Sequence, residues 1–234
     1  MQQPEPYSGV ENLEIMQEAR NYNRYLLDTV RKHAPNSGRI VDFGAGNGEF
    51  IVPMCALGFD VTAVEPDELL RGRLLEKGVR AVDGPQQLPD GSLAYVYTLN
   101  VLEHIEDDVA ALRQLHSKLA ARGSLFIYVP AFPILYTSMD ARVGHVRRYT
   151  RATLVASVRS AGFVVEQVTY VDSIGFFAAL LFKLTANKDG KVGRTAVKLY
   201  DRLIFPLSRA MDLVARHWFG KNLLLVARKP GQGS

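Results

Sequence analysis

The chain lacks the features that mark secreted and membrane-spanning proteins. Cys55 is the single cysteine among 234 residues, so no disulfide can form within the chain, as is typical of a reducing cytoplasm. The longest strongly apolar run, residues 173–182, is far shorter than the roughly 20 residues of a membrane-spanning helix. The first residues, MQQPEPYSGVENLE, have neither the basic start nor the apolar segment of a secretory signal. We therefore expect a cytoplasmic protein.

A glycine-rich turn also lacks what a phosphate-binding loop needs. Residues 41–50 read VDFGAGNGEF and follow an apolar stretch. A triphosphate-binding loop requires Lys and then Ser or Thr after its last glycine, and no lysine follows here. A dinucleotide-binding loop would have glycine at position 49, where Glu49 would compete with a pyrophosphate for the helix N-terminus. The pattern is instead D-x-G-x-G-x-G from Asp42, which favours a ligand with positive charge and close backbone contact.

Charge is distributed unevenly along the chain. Residues 1–140 contain 12 Lys and Arg against 19 Asp and Glu, a net charge of −7, whereas residues 141–234 contain 16 against 5, a net charge of +11. The basic part could attract an anionic substrate, nucleic acid or a membrane surface. A solvated basic face is an equal alternative.

Segments with strand and helix patterns alternate over most of the chain. Such alternation predicts right-handed βαβ units and a mainly parallel sheet with helices on both faces. Ligands bind such a sheet beyond the carboxyl ends of its strands. The predicted strands are 39–43, 60–65, 79–82, 93–99, 124–129, 162–171 and 221–230, and the predicted helices are 12–33, a segment after Gly48, 67–77, 107–121 and 150–161, the last capped by Thr150.

Residues 173–219 break this alternation and are predicted to be helical. Apolar residues recur at helical spacing with basic residues between them, and Pro206 should kink or split the segment. Three interpretations stay open: a cap over an apolar acceptor pocket, an interfacial helix on anionic lipid, or a dimer contact.

A second acid follows the second predicted strand. Glu65 lies seventeen residues after Gly48, where a carboxylate can accept both hydroxyls of a ribose. An ordinary acid at the start of the next helix is the alternative. The third strand is followed by Asp83 and Gly84, and the fourth ends in TLNVLEHIEDD.

In the order and spacing of these motifs, residues 15–170 resemble class I S-adenosylmethionine-dependent methyltransferases. More narrowly, they are similar to the small-molecule group with the Methyltransf_11, or ubiquinone and menaquinone type, pattern. The motifs are VDFGAGNGEF, VTAVEPD, VDGPQQLPDGSLAYVYTLNVLEHIEDD, GSLFIYVPAF, GHVRRYT and SAGFVVEQV. The resemblance implies an α/β, Rossmann-like sheet of seven strands, mostly parallel with the last antiparallel. It also implies S-adenosyl-L-methionine as the cofactor.

The resemblance further implies which residues contact that cofactor. They are Asp42, Gly44, Ala45, Gly46 and Gly48 for its amino-acid part, Glu65 for the ribose, Pro66, Asp83 and Gly84 for the adenine, and Asn100 and Val101 for the methyl-bearing end. The N-terminal helix, within residues 1–36, would cover the cofactor as a lid, with Tyr22 on the methionine carboxylate. A packing helix with an aromatic stripe is the alternative for this segment.

Methyl transfer is an in-line displacement, so alignment of the reactants supplies much of the acceleration. A hydroxyl acceptor also gains from a nearby base, for which histidine is the usual choice. His104, His145 and Tyr149 are the candidate catalytic residues, and no metal ligand is assigned. Alternatively, His104 is a structural histidine of a turn, while Arg147 and Arg148 anchor the loop and Tyr149 packs under the next helix.

We therefore expect one methyltransferase domain over residues 1–234, with a helical insertion at 173–219. Its predicted acceptor is a small molecule, apolar or lipid-linked. A non-catalytic cofactor-binding protein and a methyltransferase acting on a protein are the alternatives. We expect no nucleic-acid partner, whereas contact with an anionic membrane surface and a homodimer stay open. Peripheral attachment to the inner membrane face is compatible with this prediction.

Overall fold

The computed structural model describes residues 14–185 and 193–231. The strands are β1 Arg39–Phe43, β2 Val61–Val64, β3 Ala81–Val82, β4 Leu93–Leu99, β5 Leu119–Pro130, β6 Val164–Val171 and β7 Asn222–Arg228. The α-helices are α1 Arg20–His33, α2 Ile51–Ala56, α3 Glu68–Glu76, α4 Asp108–Lys118, α5 Ser138–Arg142, α6 Arg151–Ser160, α7 Ser173–Thr185, α8 Arg194–Leu199 and α9 Phe205–Ala215. Short 3₁₀ turns lie at Pro85–Gln87, Leu102–His104 and Pro133–Leu135, and a π-helical turn at Tyr200–Ile204 joins α8 to α9.

The strands form one seven-stranded sheet in the order β3-β2-β1-β4-β5-β7-β6. Neighbours from β3 to β5 pair in parallel, whereas β7 is antiparallel to both β5 and β6. The predicted fold class, with its antiparallel last strand, is confirmed. The strand order changes direction between β1 and β4, and this switch is where ligands bind in open α/β sheets.

Side chains of β1 alternate between two apolar layers, as the two-residue period of a strand requires. Val41 packs in the layer that contains Leu112 of α4 and Leu154 of α6. Ile40 packs in the opposite layer with Leu26 of α1. All five side chains are at most 1% exposed, and burial of each stabilises the fold by about 1.5–3 kcal/mol. Both faces of the sheet are therefore covered by helices.

The junction between α4 and β5 differs from the prediction. The helix expected over 107–121 ends at Lys118, and β5 begins directly at Leu119. Leu119 pairs with Leu93 of β4, and a Cβ on Gly123 would lie only 3.0 Å from the Leu93 carbonyl oxygen. Close pairing between the strands therefore overrides the local helical pattern, which contains no information about that neighbour.

The N-terminal helix is also shorter than predicted. The expected helix 12–33 is represented by a helical turn at residues 14–16 and, after a break, by α1, while residues 12 and 13 lie outside the described residues. Ala19 offers no side-chain cap to α1. Instead, the amides of Asn21 and Tyr22 donate to the carboxylate of Asp201, at 2.9 Å each. A residue of the C-terminal part thus fixes where this helix begins.

The segment 173–219 contains α7, α8 and α9, between β6 and β7. Pro206 lies in the first turn of α9, directly after the π-helical turn. Its ring removes one backbone donor, so the hydrogen-bond ladder is interrupted there. Among the described residues, no helix is both long enough and apolar enough to cross a membrane.

Candidate active site

The turn after β1 is shaped by glycines with positive φ. The φ angle is +83° at Gly44, +53° at Gly46 and +84° at Gly48, a region that a residue with a side chain adopts only at a cost of about 1 kcal/mol or more. A Cβ at Gly44 would also lie 2.9 Å from Cγ1 of Val101. The backbone of this turn therefore lies directly against the end of β4.

The carboxyl ends of β1 to β4 bring the predicted cofactor residues to one edge of the sheet. In the parallel register, Phe43 lies opposite Val64, and Val64 lies opposite Val82. The residues that follow these strand ends are Gly44, Ala45, Gly46, Gly48, Glu65, Pro66, Asp83, Gly84, Asn100 and Val101. Asp42, one residue before the end of β1, lies opposite Tyr97 of β4.

Glu65 orients the glycine-rich turn. Its carboxylate accepts hydrogen bonds from the Gly46 amide at 2.7 Å and the Asp67 amide at 3.0 Å. Glu65 is 6% exposed, and burial raises the pKa of its carboxyl. Each carboxylate oxygen has a second lone pair, so a ribose can still be bound there.

Asp42 is buried with one oxygen unsatisfied. It is 2% exposed, and its Oδ2 has no hydrogen-bond partner among the described residues. Burial raises the pKa of this carboxyl to about 8, and the charge of Glu65 adds to the shift. A buried carboxylate with an unsatisfied oxygen is costly, so this position suits a cationic group such as the α-amino group of S-adenosylmethionine.

The remaining predicted cofactor residues differ in exposure. Asp83 is exposed and accepts a hydrogen bond from Gln86 at 3.1 Å. Asn100 is exposed with a φ of +56°, and such strained residues cluster at functional sites. Tyr22 of α1 packs edge-on against Tyr128 of β5, with ring centroids 6.1 Å apart. Helix α1 therefore reaches the sheet next to the end of β4, as a lid would require.

Three side chains from two distant segments meet just beyond β4. Glu103 and His104 lie in the 3₁₀ turn after Val101, and His145 comes from the loop after β5. The two imidazole rings meet edge to face, with centroids 4.7 Å apart, and His145 Nε2 lies 3.8 Å from Glu103 Oε1. We call these three residues the Glu103–His104–His145 cluster. The predicted candidates His104 and His145 are thus brought together, a few residues beyond Val101, which contacts the glycine-rich turn.

The electrostatics of the cluster are unusual. Glu103 is completely buried, and neither of its carboxylate oxygens has a hydrogen-bond partner among the described residues. Burial raises its pKa to about 8, with the charge of Asp140 adding and that of Arg148 opposing. Burial and the neighbouring His145 lower the pKa of His104 to about 4, so His104 is neutral near pH 7.

Asp140 holds His145 in position. Its Oδ1 lies 2.8 Å from His145 Nδ1 and accepts a hydrogen bond from Arg148 Nε at 2.8 Å. Its Oδ2 accepts from the Thr137 amide at 2.8 Å, as part of a capping box at the start of α5. Despite burial, the hydrogen bonds from His145 and Arg148 hold the pKa of Asp140 below its usual range. An ionised Asp140 orients His145 so that Nε2 faces Glu103.

Tyr149 does not lie in the site. It is 2% exposed, and its hydroxyl donates toward Asp108 Oδ2 at 2.8 Å, with the Leu102 carbonyl oxygen at 3.2 Å. Arg147 also pairs with Asp108, at 3.4 Å. The prediction that Tyr149 is catalytic does not fit this geometry, because its hydroxyl is engaged inside the protein. The alternative, an anchored loop with Tyr149 packed beneath the next helix, fits it.

Residues that hold the site together were not assigned a role in the sequence analysis. Asp201 caps α1, and Asp212 accepts from the amides of Asp172 and Ser173 at the start of α7. All three of these aspartates are buried. An acid inside an otherwise apolar helical pattern was the available signal, since such residues are rarely buried without a partner.

The strand order, the glycine-rich turn, the acid near the end of β1 and the acid after β2 together define a class I S-adenosylmethionine-dependent methyltransferase. A family model described as a methyltransferase domain matches residues 16–168, and the chain belongs to that family. The predicted resemblance is confirmed, and S-adenosylmethionine is the cofactor of this class.

Curated relatives carry a more specific name. The chain is 30% identical over 158 residues to the ubiquinone biosynthesis O-methyltransferase of Xanthomonas axonopodis pv. citri (strain 306), a match that covers 58% of this chain and 66% of that protein. It is 34% identical over 116 residues to the protein of the same name from Caulobacter sp. (strain K31), with coverages of 45% and 46%. The chain thus spans less than two thirds of the length of either relative.

A solved structure is similar over nearly its whole length. It is a Thermotoga maritima protein described as a SAM-dependent methyltransferase, possible histamine N-methyltransferase, with a TM-score of 0.63 over 94% of both chains. The two sequences are 18% identical, so this similarity concerns the fold.

Proposed function

We propose that the protein transfers the methyl group of S-adenosylmethionine to a hydroxyl oxygen of a small acceptor that is apolar or lipid-linked. The observation that carries this proposal is the Glu103–His104–His145 cluster at the end of β4, two residues beyond Val101. When bound, S-adenosylmethionine supplies a methyl group on a sulfonium, and its sulfur leaves as a neutral thioether. The protein must then align the acceptor oxygen and remove its proton.

We assign cofactor binding to the same edge of the sheet, on the opposite side of Val101 from the cluster. Asp42 provides a buried carboxylate for the cationic amino group, and Glu65 provides acceptor oxygens for the ribose. The left-handed glycines let the backbone approach the cofactor closely. Val101 separates the glycine-rich turn from the Glu103–His104–His145 cluster. The methyl group of a cofactor bound at the turn would therefore point toward the cluster.

The cluster is the proposed place where the acceptor hydroxyl loses its proton. As the oxygen–methyl bond forms and the sulfur–methyl bond breaks, the hydroxyl proton must leave the oxygen. An amine that arrives neutral would need little such help, whereas a hydroxyl gains about 10²- to 10⁴-fold from a positioned base. Asp140 fixes His145 so that Nε2 stays available, which favours oxygen as the methyl acceptor. The name of the curated relatives supports the same choice.

The exposed apolar side chains along α9 favour an acceptor in or near a membrane. Along α9, Leu207, Met211 and Val214 are 60%, 38% and 68% exposed, and Leu203 and Trp218 extend this row to 53% and 66%. Spacings of three and four residues place the row along one side of the helix. We call these five residues the α9 stripe. An apolar row flanked by cationic residues suits the interface of an anionic membrane.

The acceptor is tested by methyl transfer from labelled S-adenosylmethionine to lipid extracts and to small phenols, with identification of the product. We expect an O-methylated product with wild type, and a kcat at least about 100-fold lower in His145→Gln with unchanged cofactor affinity by calorimetry. His217→Gln is the matched control, because His217 is an exposed histidine after α9.

Other outcomes of this experiment separate the alternative functions. Cofactor binding without a labelled product would contradict the enzymatic proposal and favour a non-catalytic binding protein. Label on protein, or on nitrogen or carbon of the acceptor, would contradict the proposed acceptor class while leaving methyl transfer intact.

The membrane contact is tested by sedimentation with vesicles of anionic or purely zwitterionic lipid. We expect binding to anionic vesicles that Leu207→Gln with Val214→Gln weakens about 10-fold or more, since each change removes about 1–2 kcal/mol of apolar burial. Leu69→Gln with Leu75→Gln is the control, because these α3 residues are each 55% exposed. Equal binding of both variants, or a dimer that only the stripe variant disrupts, would contradict the membrane contact.

A further inference from the structure

We propose that Glu103, His104 and His145 bind a divalent transition-metal ion, which coordinates the acceptor hydroxyl during methyl transfer. This inference rests on the proposed O-methyl transfer. One ligand atom from each residue lies within 4.8 Å of the other two. Two imidazoles and one carboxylate on one side of an ion form a known divalent-metal arrangement that leaves positions open for substrate.

The carboxylate of Glu103 points to a cation. It is completely buried, and both of its oxygens are without a hydrogen-bond partner among the described residues. A buried charge requires a partner, and metal coordination is one of the two common solutions. The nearest opposite charges already cancel each other, since Arg148 forms two hydrogen bonds to Asp140, at 2.8 and 3.0 Å. Arg148 is therefore engaged by Asp140, and a cation beside Glu103 would allow its buried carboxyl to be ionised.

The histidines are held as metal-binding histidines usually are. His145 Nδ1 lies 2.8 Å from Asp140 Oδ1, which leaves Nε2 toward Glu103. His104 forms a hydrogen bond with the backbone of Gly144. Metal-binding histidines commonly engage their second ring nitrogen with a carboxylate or a backbone carbonyl, which fixes the ring. Both rings here have such a partner.

The chemistry of the ligands favours particular ions. Imidazole nitrogens suit Zn²⁺ or Fe²⁺, and the carboxylate and open water positions also suit Mn²⁺, whereas Mg²⁺ prefers oxygen ligands throughout. Ligands about 2.1 Å from an ion lie about 3 Å apart on adjacent corners, so binding would draw ligand atoms that now lie within 4.8 Å of one another together by up to roughly 2 Å. Because His145 is 15% exposed, one side of the site stays open to an acceptor.

A metal ion at this position would take over the proton step of the proposed function, with His145 Nε2 as a ligand of the ion instead of a free base. The hydroxyl oxygen would coordinate the ion as a Lewis base, which lowers the pKa of the hydroxyl, and its proton would pass to solvent. The oxygen–methyl bond would then form as the sulfur–methyl bond breaks. No oxidation or reduction is involved, so Zn²⁺ or Mn²⁺ is sufficient.

The site is tested by titration of the purified chain with Zn²⁺ in calorimetry, and with Co²⁺ by visible absorption. We expect one ion per chain, an affinity at least about 100-fold weaker in His145→Gln and Glu103→Gln, and about 10- to 100-fold weaker in Asp140→Asn. His217→Gln should bind as wild type does, and circular dichroism confirms that each variant is folded. Equal affinity in the cluster variants, or no stoichiometric binding by folded wild type, would overturn the site.

A second measurement separates this inference from the proposed function. Methyl transfer is measured after chelation and after Zn²⁺ or Mn²⁺ is restored. Loss and recovery of turnover support the inference, whereas full turnover of chelated protein would overturn it and leave the methyl transfer standing. Metal binding without any methylated product would contradict the proposed function but not the metal site.

Discussion

Replacing Gly44 with alanine should destabilise the fold more than the same replacement at Gly58. Both glycines have a positive φ, +83° at Gly44 and +88° at Gly58. At Gly58 nothing lies within 4 Å of an added Cβ, whereas at Gly44 it would meet the side chain of Val101. The two positions therefore separate the cost of the backbone conformation from the cost of the collision.

The magnitude follows from these two contributions. A left-handed conformation costs alanine about 1–2 kcal/mol, and this is the whole effect expected for Gly58→Ala. At Gly44 the new Cβ would lie 2.9 Å from Cγ1 and 3.1 Å from Cβ of Val101, so rotation of the valine cannot remove the overlap. Overpacking of this kind adds about 1–3 kcal/mol. The expected loss for Gly44→Ala is therefore about 2–5 kcal/mol.

Urea unfolding of the two variants, and of Gly44→Ala combined with Val101→Ala, measures these contributions. The second substitution removes both γ-carbons. It should therefore restore most of the unfolding free energy lost to the collision, but none of that lost to the backbone conformation. Calorimetry should show that Gly44→Ala weakens S-adenosylmethionine binding at least about 10-fold, while Gly58→Ala leaves it unchanged. The reasoning is refuted if both alanine variants lose equal stability, or if Val101→Ala recovers none of the difference.

Three other substitutions test the buried polar groups. Burial raises the pKa of Asp42 from 3.8 to about 8, so this carboxyl should make wild type lose up to about 1.4 kcal/mol of stability per pH unit as the pH rises from about 4 through 8. Because burial raises the pKa of Glu103 in the same way, Asp42→Asn should keep part of this slope and show a shallower one than wild type in urea unfolding at several pH values. Asp201→Ala should lower the unfolding free energy by about 1–2 kcal/mol. Asp28→Ala, which replaces an exposed acid of α1, the helix that Asp201 caps, should stay within about 0.5 kcal/mol of wild type, and equal effects would exclude the cap. Tyr149→Phe should cost about 1–2 kcal/mol by leaving Asp108 short of a donor and keep kcat within about twofold, whereas a large loss of kcat alone would restore Tyr149 as a catalytic candidate.

Much of the fold could be predicted because its pattern is local. β1 and β4 have the predicted limits, 39–43 and 93–99, because apolar runs between turn residues identify buried strands. Thr150 caps α6 as predicted, and its side chain accepts from the Thr153 amide. The start of β5 could not be predicted, since it depends on pairing with β4. The start of α1 depends on Asp201, 180 positions from Asn21.

The cofactor side of the candidate site was easier to predict than the acceptor side. The predicted cofactor residues follow consecutive parallel strands, and the carboxyl ends of parallel strands always meet at one edge of the sheet. The acceptor side depends on a loop whose path is fixed by Asp140 and its bonds to His145 and Arg148. The sequence named both histidines and placed Glu103 beside His104, where it could orient or charge that ring. It did not place Glu103 against His145, because that contact spans 42 positions. Conformations of long loops follow from tertiary hydrogen bonds that no local pattern encodes.

Within residues 14–185 and 193–231, two buried carboxylates lack full hydrogen bonding, and they lie on opposite sides of Val101 in the sequence. Asp42 precedes the glycine-rich turn, and Glu103 follows the end of β4. Each would destabilise the ionised fold by itself, because burial disfavours a charge without a partner. Their placement is understandable if each is neutralised by a cation: the amino group of the cofactor at Asp42 and a metal ion at Glu103. It follows that cofactor and metal should each raise the unfolding temperature of wild type. Asp42→Asn should diminish only the increase caused by the cofactor, and Glu103→Gln should abolish only the increase caused by the metal.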